Sequence, residues 1–249
     1  MGGHARHRHH EHSYFADPWL FNCLNDKAQR AIWTAERRAI RYAQSRGTLV
    51  IASEGNQRID LSHPRIDTLS PDFPPDSAVV REITNACAVV PVEVPGVLSV
   101  SATGARRLKA SYSSYGVASV AAPGGDAALQ DIAADTVGRG RVLSTYPSDR
   151  PCARARFDNG AKYCYLQGTS MAGPHAVGVA ALIKALLPNL SGGALGAAVQ
   201  QAVTPLACPD TSIYANFPQP GGFPQTCDGG VGHTSFYGSG EVNALSAVS

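Results

Sequence analysis

Charge is scarce in this chain of 249 residues: Asp, Glu, Lys and Arg together make up 16% of it, and the formal net charge is +2. The 21 Lys and Arg alternate with 19 Asp and Glu along the chain, so no basic stripe forms. That balance excludes a nucleic-acid groove and an electrostatically held membrane surface. Long apolar runs are missing too. The best, "AVGVAALIKALL", is short and interrupted by Lys184, which excludes a spanning helix. The start, "MGGHARHRHHEHSYF", has no apolar core and is not a secretory leader. No two cysteines form a CxxC pair, so a zinc ribbon or a thioredoxin-type site is not expected.

What is present argues for a turn-rich globular domain. Hydrophobic residues reach 44%, enough for a sizeable core, and 25 Gly with 17 Pro imply many turns and long loops. The six cysteines are Cys23, Cys87, Cys152, Cys164, Cys208 and Cys227. Cys152 and Cys164 flank a polar loop, and Cys208 and Cys227 a Pro/Gly-rich one. Disulfides would close both, leaving Cys23 for Cys87; buried free thiols are the alternative. Three bridges imply an oxidising compartment, hence a secreted protein whose true N-terminus is missing here.

Residues 1–12 carry five of the eight histidines and read as a disordered tail, with metal binding as a minor alternative. Helical spacing of Ala28, Ala31, Ile32, Ala35, Ala39 and Ala43 predicts a helix over 25–46, with Gly47 closing it. "TLVIAS", "GVLSVSAT" and "VASVAAP" read as short buried strands, and a further strand ends near "VLSTYP". Residues 54–88 form a long polar loop stapled by Cys87. Helices follow at 170–187 and in "SGGALGAAVQQAV", the latter with Ser191 as N-cap. A glycine turn and a short helix close the chain. Alternating helices and buried strands indicate a layered α/β domain over 13–249.

The chemistry is concentrated in "LQGTSMAGPHAVGVAAL". Gly168 permits a sharp bend, Pro174 suits a first helical turn, and small residues keep the helix narrow. Ser170 then sits at a helix N-terminus, where the dipole favours developing negative charge. A serine that merely caps a buried helix is the plain alternative. The G-x-S-x-G elbow is absent, because Ala172 occupies its last glycine position.

"GTSMAGPHAVGVAAL" resembles the nucleophile segment of the subtilisin-like serine proteases, the subtilases. "AIRYAQSRGTLVIASEGN" resembles that family's helix, strand and oxyanion-hole asparagine. "PGVLSVSATG", "YSSYG", "AAPGGD" and "FYGSGEVNALSAV" resemble the elements that follow, in the right order. The likeness covers roughly residues 13–249. It implies a three-layer doubly wound, mostly parallel sheet missing its N-terminal strands, and peptide-bond hydrolysis through an acyl-enzyme on Ser170, with Asn56 holding the oxyanion. It further implies that Ser13, Tyr14 and Phe15 pair with a substrate backbone. Ala52, Ser53, Glu54 and Gly55 would wall the specificity pocket. "PVEVPGV" falls where some members bind calcium; no cofactor enters the chemistry. The partners implied are polypeptide substrates, and the protein is expected to be a monomer.

The family orders its triad Asp, His, Ser, and this chain has neither a D-[ST]-G nor an H-G-T-H-type motif. His175 lies five residues beyond Ser170, about 7.5 Å along the helix axis and about 140° around it, and reads as a buried structural histidine. The expectation is a fragment that carries the nucleophile without its base and is inactive alone. The alternatives are a degenerate protease acting as a peptide-binding module, and a hydrolase that recruits a base from the tail or a partner chain.

Overall fold

The structure, a computed structural model, describes residues 9–249. In chain order its main elements are β1 (His9–His12), α1 (Lys27–Ser45), β2 (Leu49–Ser53), β3 (Leu98–Thr103) and β4 (Val120–Pro123). There follow β5 (Val142–Thr145), β6 (Ala155–Asp158), β7 (Ala161–Leu166), α2 (Thr169–Leu186), α3 (Gly192–Gln201), β8 (Val203–Thr204) and β9 (Glu241–Val242). The main sheet runs β1-β2-β3-β4-β9-β8. All its pairings are parallel except β8 with β9. Strands β5, β6 and β7 form a separate antiparallel arm that leads into α2.

Side chains of β2 alternate between two faces, and both faces are covered. Leu49 and Ile51 pack with Leu98, Val100, Ala176 and Leu195, so α2 and α3 cover one side. Val50 packs with Ile40 of α1, and Ala52 with Leu20, Ile59 and Cys87, on the other. Burial on both sides explains the unbroken apolar run of a parallel strand. The result is the expected three-layer α/β sheet.

Each helix has a local cause. Asp26 caps α1 by accepting from Gln29 N–H at 2.8 Å, and Gly47 turns the chain out at φ 81°. Ser191 stands at the N-cap of α3 but makes no side-chain cap bond. Pro174 lies in the second turn of α2, not its first, because the helix begins at Thr169. The predicted closing helix is absent: β9 pairs with β4 and β8, and turns follow it.

The tail reading needs correction at its end. His9–His12 form β1, paired in parallel with Leu49–Ala52. A ladder is made by backbone groups, so the free flank of β2 recruits these residues whatever their side chains. Residues 1–8 lie outside the described residues. The expected disulfides are all formed: Cys23–Cys87, Cys152–Cys164 and Cys208–Cys227. The first anchors the 54–88 loop through a small ladder of Asn22–Cys23 with Cys87–Ala88.

Candidate active site

The end of β2 and the first turn of α2 meet through four hydrogen bonds. Ser53 Oγ donates to Thr169 O at 2.8 Å, and Gly55 N–H donates to Thr169 Oγ1 at 3.2 Å. Thr169 N–H and Oγ1–H both donate to Asn56 Oδ1, at 2.9 and 3.1 Å. These last two bonds fix which way the Asn56 amide faces. Its Nδ2 is left without an acceptor among the described residues, free to donate to a ligand.

Ser170 is the second residue of α2 and half-buried, and its backbone N–H has no partner among the described residues. Pro174 cannot donate to Ser170 O, as a residue four places on otherwise would. Ser13 Oγ approaches that carbonyl instead, at 3.5 Å. The turn before α2 is held from the opposite side. Gly168 N–H donates to Gly124 O at 3.0 Å, and Tyr112 OH donates to the same carbonyl at 3.0 Å. Sequence reasoning passed over Thr169 and Tyr112 as orienting groups, because their role appears only when distant segments meet.

Ser170, Asn56, Ser13, Tyr14 and Phe15 line one cleft of about 250 Å³, with Ser53, Glu54 and Gly55. Two of the named wall residues behave differently from expectation. Ala52 is fully buried in the core against Leu20 and Ile59 and does not line the cleft. Its side chain alternates away from the site, one position short of Ser53. Glu54 lines the cleft but is buried, and desolvation pushes its carboxyl well above the ordinary range. Its Oε1 accepts from Val117 N–H at 3.2 Å.

No histidine or carboxylate is hydrogen-bonded to Ser170 Oγ among the described residues. Glu11 brings a carboxylate to the N-terminal end of α2, where a Cβ on Gly173 would fall 2.4 Å from its Oε1. Its bonds go to Ser13 and Ser53 instead. His12 Nδ1 meets Tyr14 OH at 2.9 Å, and His63 Nδ1 meets Asp60 Oδ2 at 3.0 Å. His175 is exposed, not buried, with Nδ1 bonded to Met171 O at 2.8 Å. It stands on a flank of α2 that shares an open groove of about 690 Å³ with β5, Pro123 and Val242, beside Ser170.

Around "PVEVPGV", Val89 O, Pro91 O and Val94 O accept bonds from the N–H groups of Glu93, Val94 and Val97. The Glu93 carboxylate turns back to Val89 N–H, and burial pushes its pKa up to about 7. Among the described residues, no three His, Cys, Asp or Glu side chains are grouped so as to hold a metal ion.

Residues 22–234 match the family model described as the subtilase family. Among characterised proteins, the chain is 28% identical over 216 residues to an extracellular protease of Xanthomonas campestris pv. campestris, covering 86% of this chain and 26% of that protein. It is 30% identical over 211 residues to the M-protease of Shouchella clausii, covering 84% of this chain and 35% of the relative. The chain thus spans only part of the length of these relatives. Among solved structures, a lanthipeptide protease superposes with a TM-score of 0.64 at 21% identity, over 98% of this chain and 61% of that one. The epidermin leader peptide processing serine protease of Staphylococcus aureus gives 0.63 at 21% identity, over 97% and 50%. These two likenesses bear on the fold.

Proposed function

The chain belongs to the subtilase family, and on that premise we propose that it carries the nucleophile and oxyanion half of a secreted serine endopeptidase. In this reading Ser170 attacks the scissile carbonyl of a polypeptide laid along Ser13–Phe15. The oxyanion is held by the Ser170 N–H and by Asn56 Nδ2, at a helix N-terminus. The observation that carries the reading is the pair of bonds from Thr169 to Asn56 Oδ1, which aims the amide before substrate arrives. Such preorganisation costs no reorientation in the transition state.

A serine hydroxyl needs a base, and none is bonded to it. The chain alone therefore turns peptides over negligibly. The missing base equally favours a second reading, a peptide-binding module without turnover. A cation on "PVEVPGV" would share carbonyls already bonded, and no step depends on it. Three disulfides support export, as does the name of the Xanthomonas relative.

The test is hydrolysis of an activated peptide ester. An oxyanion hole without a triad retains about 10³–10⁴ over water. In subtilisin itself, removing the asparagine costs about 10²–10³ in kcat. Asn56→Ala is expected to remove most of the residual rate while the circular dichroism spectrum is kept. A residual rate indifferent to Asn56→Ala overturns the assignment.

A further inference from the structure

The cleft beside Ser170 is lined by three carboxyls and by no cationic side chain, although the buried Lys109 acts electrostatically on Glu54. Asp17 and Asp72 line it from two separate loops, which are joined where Asp72 N–H donates to Pro18 O at 2.9 Å. Both residues are exposed; partial loss of solvent, and then the neighbouring Asp72, push Asp17 above the ordinary carboxylate range. Two such groups sharing one place destabilise their doubly ionised state unless a cation joins them. No lysine, arginine or histidine is among the residues lining the cleft. The ion pairs of the described residues lie elsewhere: Asp60 with His63, Asp67 with Arg81, Asp131 with Arg139, and Glu241 with Arg107.

Glu54 gives a second, independent indication. It lines the same cleft, is only 1% exposed, and its Oε2 has no hydrogen-bond partner. A buried polar atom of this kind is uncommon and marks a group that awaits a donor. A cation entering the cleft would favour ionisation of Glu54 and give Oε2 that donor. A metal ion does not fit the demand, since these carboxyls are not grouped as metal ligands. A cation on a long flexible stem, carried by a bound chain, does.

We propose that Asp17 and Asp72 make this cleft select a basic side chain, arginine or lysine, on the polypeptide that lies along Ser13–Phe15. Two carboxylates suit the forked donors of a guanidinium, so arginine is preferred over lysine. This rests on the cleft being the peptide site proposed above. The selectivity itself needs no turnover.

The experiment measures binding by fluorescence polarisation of labelled alanine-rich peptides that differ at one position: arginine, lysine, citrulline or glutamate. Citrulline keeps the shape of arginine and lacks its charge. The arginine peptide is expected to bind at least tenfold tighter than the citrulline peptide. Asp17→Asn with Asp72→Asn should erase that advantage, so that the arginine and citrulline peptides bind alike. Equal affinity for arginine and citrulline in the unaltered protein overturns the proposal while leaving the peptide cleft intact. So does an arginine advantage that survives the double substitution. If no peptide binds, or if binding ignores Ser170→Trp placed in the cleft, the cleft reading falls and the selectivity with it.

Discussion

Glu93 shows how a single buried carboxyl writes itself into the stability of the molecule. It accepts a hydrogen bond from Val89 N–H, yet burial raises its pKa from the ordinary 4.5 to about 7. Between those two pH values the folded protein holds a proton that the unfolded chain has already released. Stability therefore falls as pH climbs through that window and is not further affected above it. A glutamine oxygen can still accept from Val89 N–H while carrying no charge. Glu93→Gln is expected to raise the urea midpoint at pH 8, by a stability gain on the order of 1–3 kcal/mol, and to leave the midpoint at pH 4.5 nearly unchanged. The decline between the two is shallower in the variant, though not abolished, because Glu54 is displaced in the same direction. A midpoint profile identical to that of the unaltered protein refutes the account. At this scale the meeting of Ser170 and Asn56 in one cleft was legible from motif alone. Thr169 as the group that aims Asn56, and Asp17 beside Asp72, were not, since no local pattern announces a contact between distant loops.

Between elements, packing decides what a residue costs. Gly178 lies mid-helix in α2, and a Cβ there would meet nothing within 4 Å. Gly192 begins α3, and a Cβ there would fall 2.5 Å from the Thr48 carbonyl oxygen, a backbone atom with little freedom to move. The same substitution thus has opposite signs. Gly178→Ala is expected to stabilise by about 1 kcal/mol, the helix-propensity difference. Gly192→Ala is expected to destabilise by about 1–3 kcal/mol, the usual cost of overpacking. Chemical denaturation of both variants checks the pair, and equal effects would show that α3 does not seat on β2 as described. Elements whose pattern is read locally were visible in sequence: α1 by its alanine spacing, β2 and β3 by their apolar runs. Those defined by a neighbour were not. Nothing in His9–His12 signals a strand, because the pairing is made by backbone on the flank of β2. Likewise Glu241–Val242 become β9 by joining β4, and turns follow where a short closing helix was expected. His175 was assigned to the interior because helix geometry keeps it from Ser170, yet it stands exposed on α2, and being out of reach of one side chain does not bury a residue.

The whole molecule is held by its bridges and exposed along one side. Cys23–Cys87 joins residues 64 apart, the longest separation of the three. Chain-entropy reasoning assigns it about 4 kcal/mol, against about 3 kcal/mol for the short Cys152–Cys164 loop. Replacing the first pair by alanine should therefore lower the urea midpoint more than replacing the second; the reverse order would place the stabilisation in the arm instead of the sheet. The exposed side has a different consequence. On α2 and just past its end, Leu182, Leu186 and Leu187 are 41%, 56% and 53% exposed, and Leu182 lines the groove beside Ser170. Exposed apolar side chains one helical turn apart favour association between chains. A chain expected from its sequence to be monomeric thus carries a surface that works against that state. Sedimentation velocity is expected to show concentration-dependent association of the unaltered chain. Leu182→Lys with Leu186→Lys should shift it toward monomer, because both positions face solvent and the charges interrupt the patch without entering the core. If the unaltered chain sediments as a single monomeric species across the accessible concentration range, the face of α2 is satisfied in solution by something other than another chain, and the exposed leucines are not the determinant.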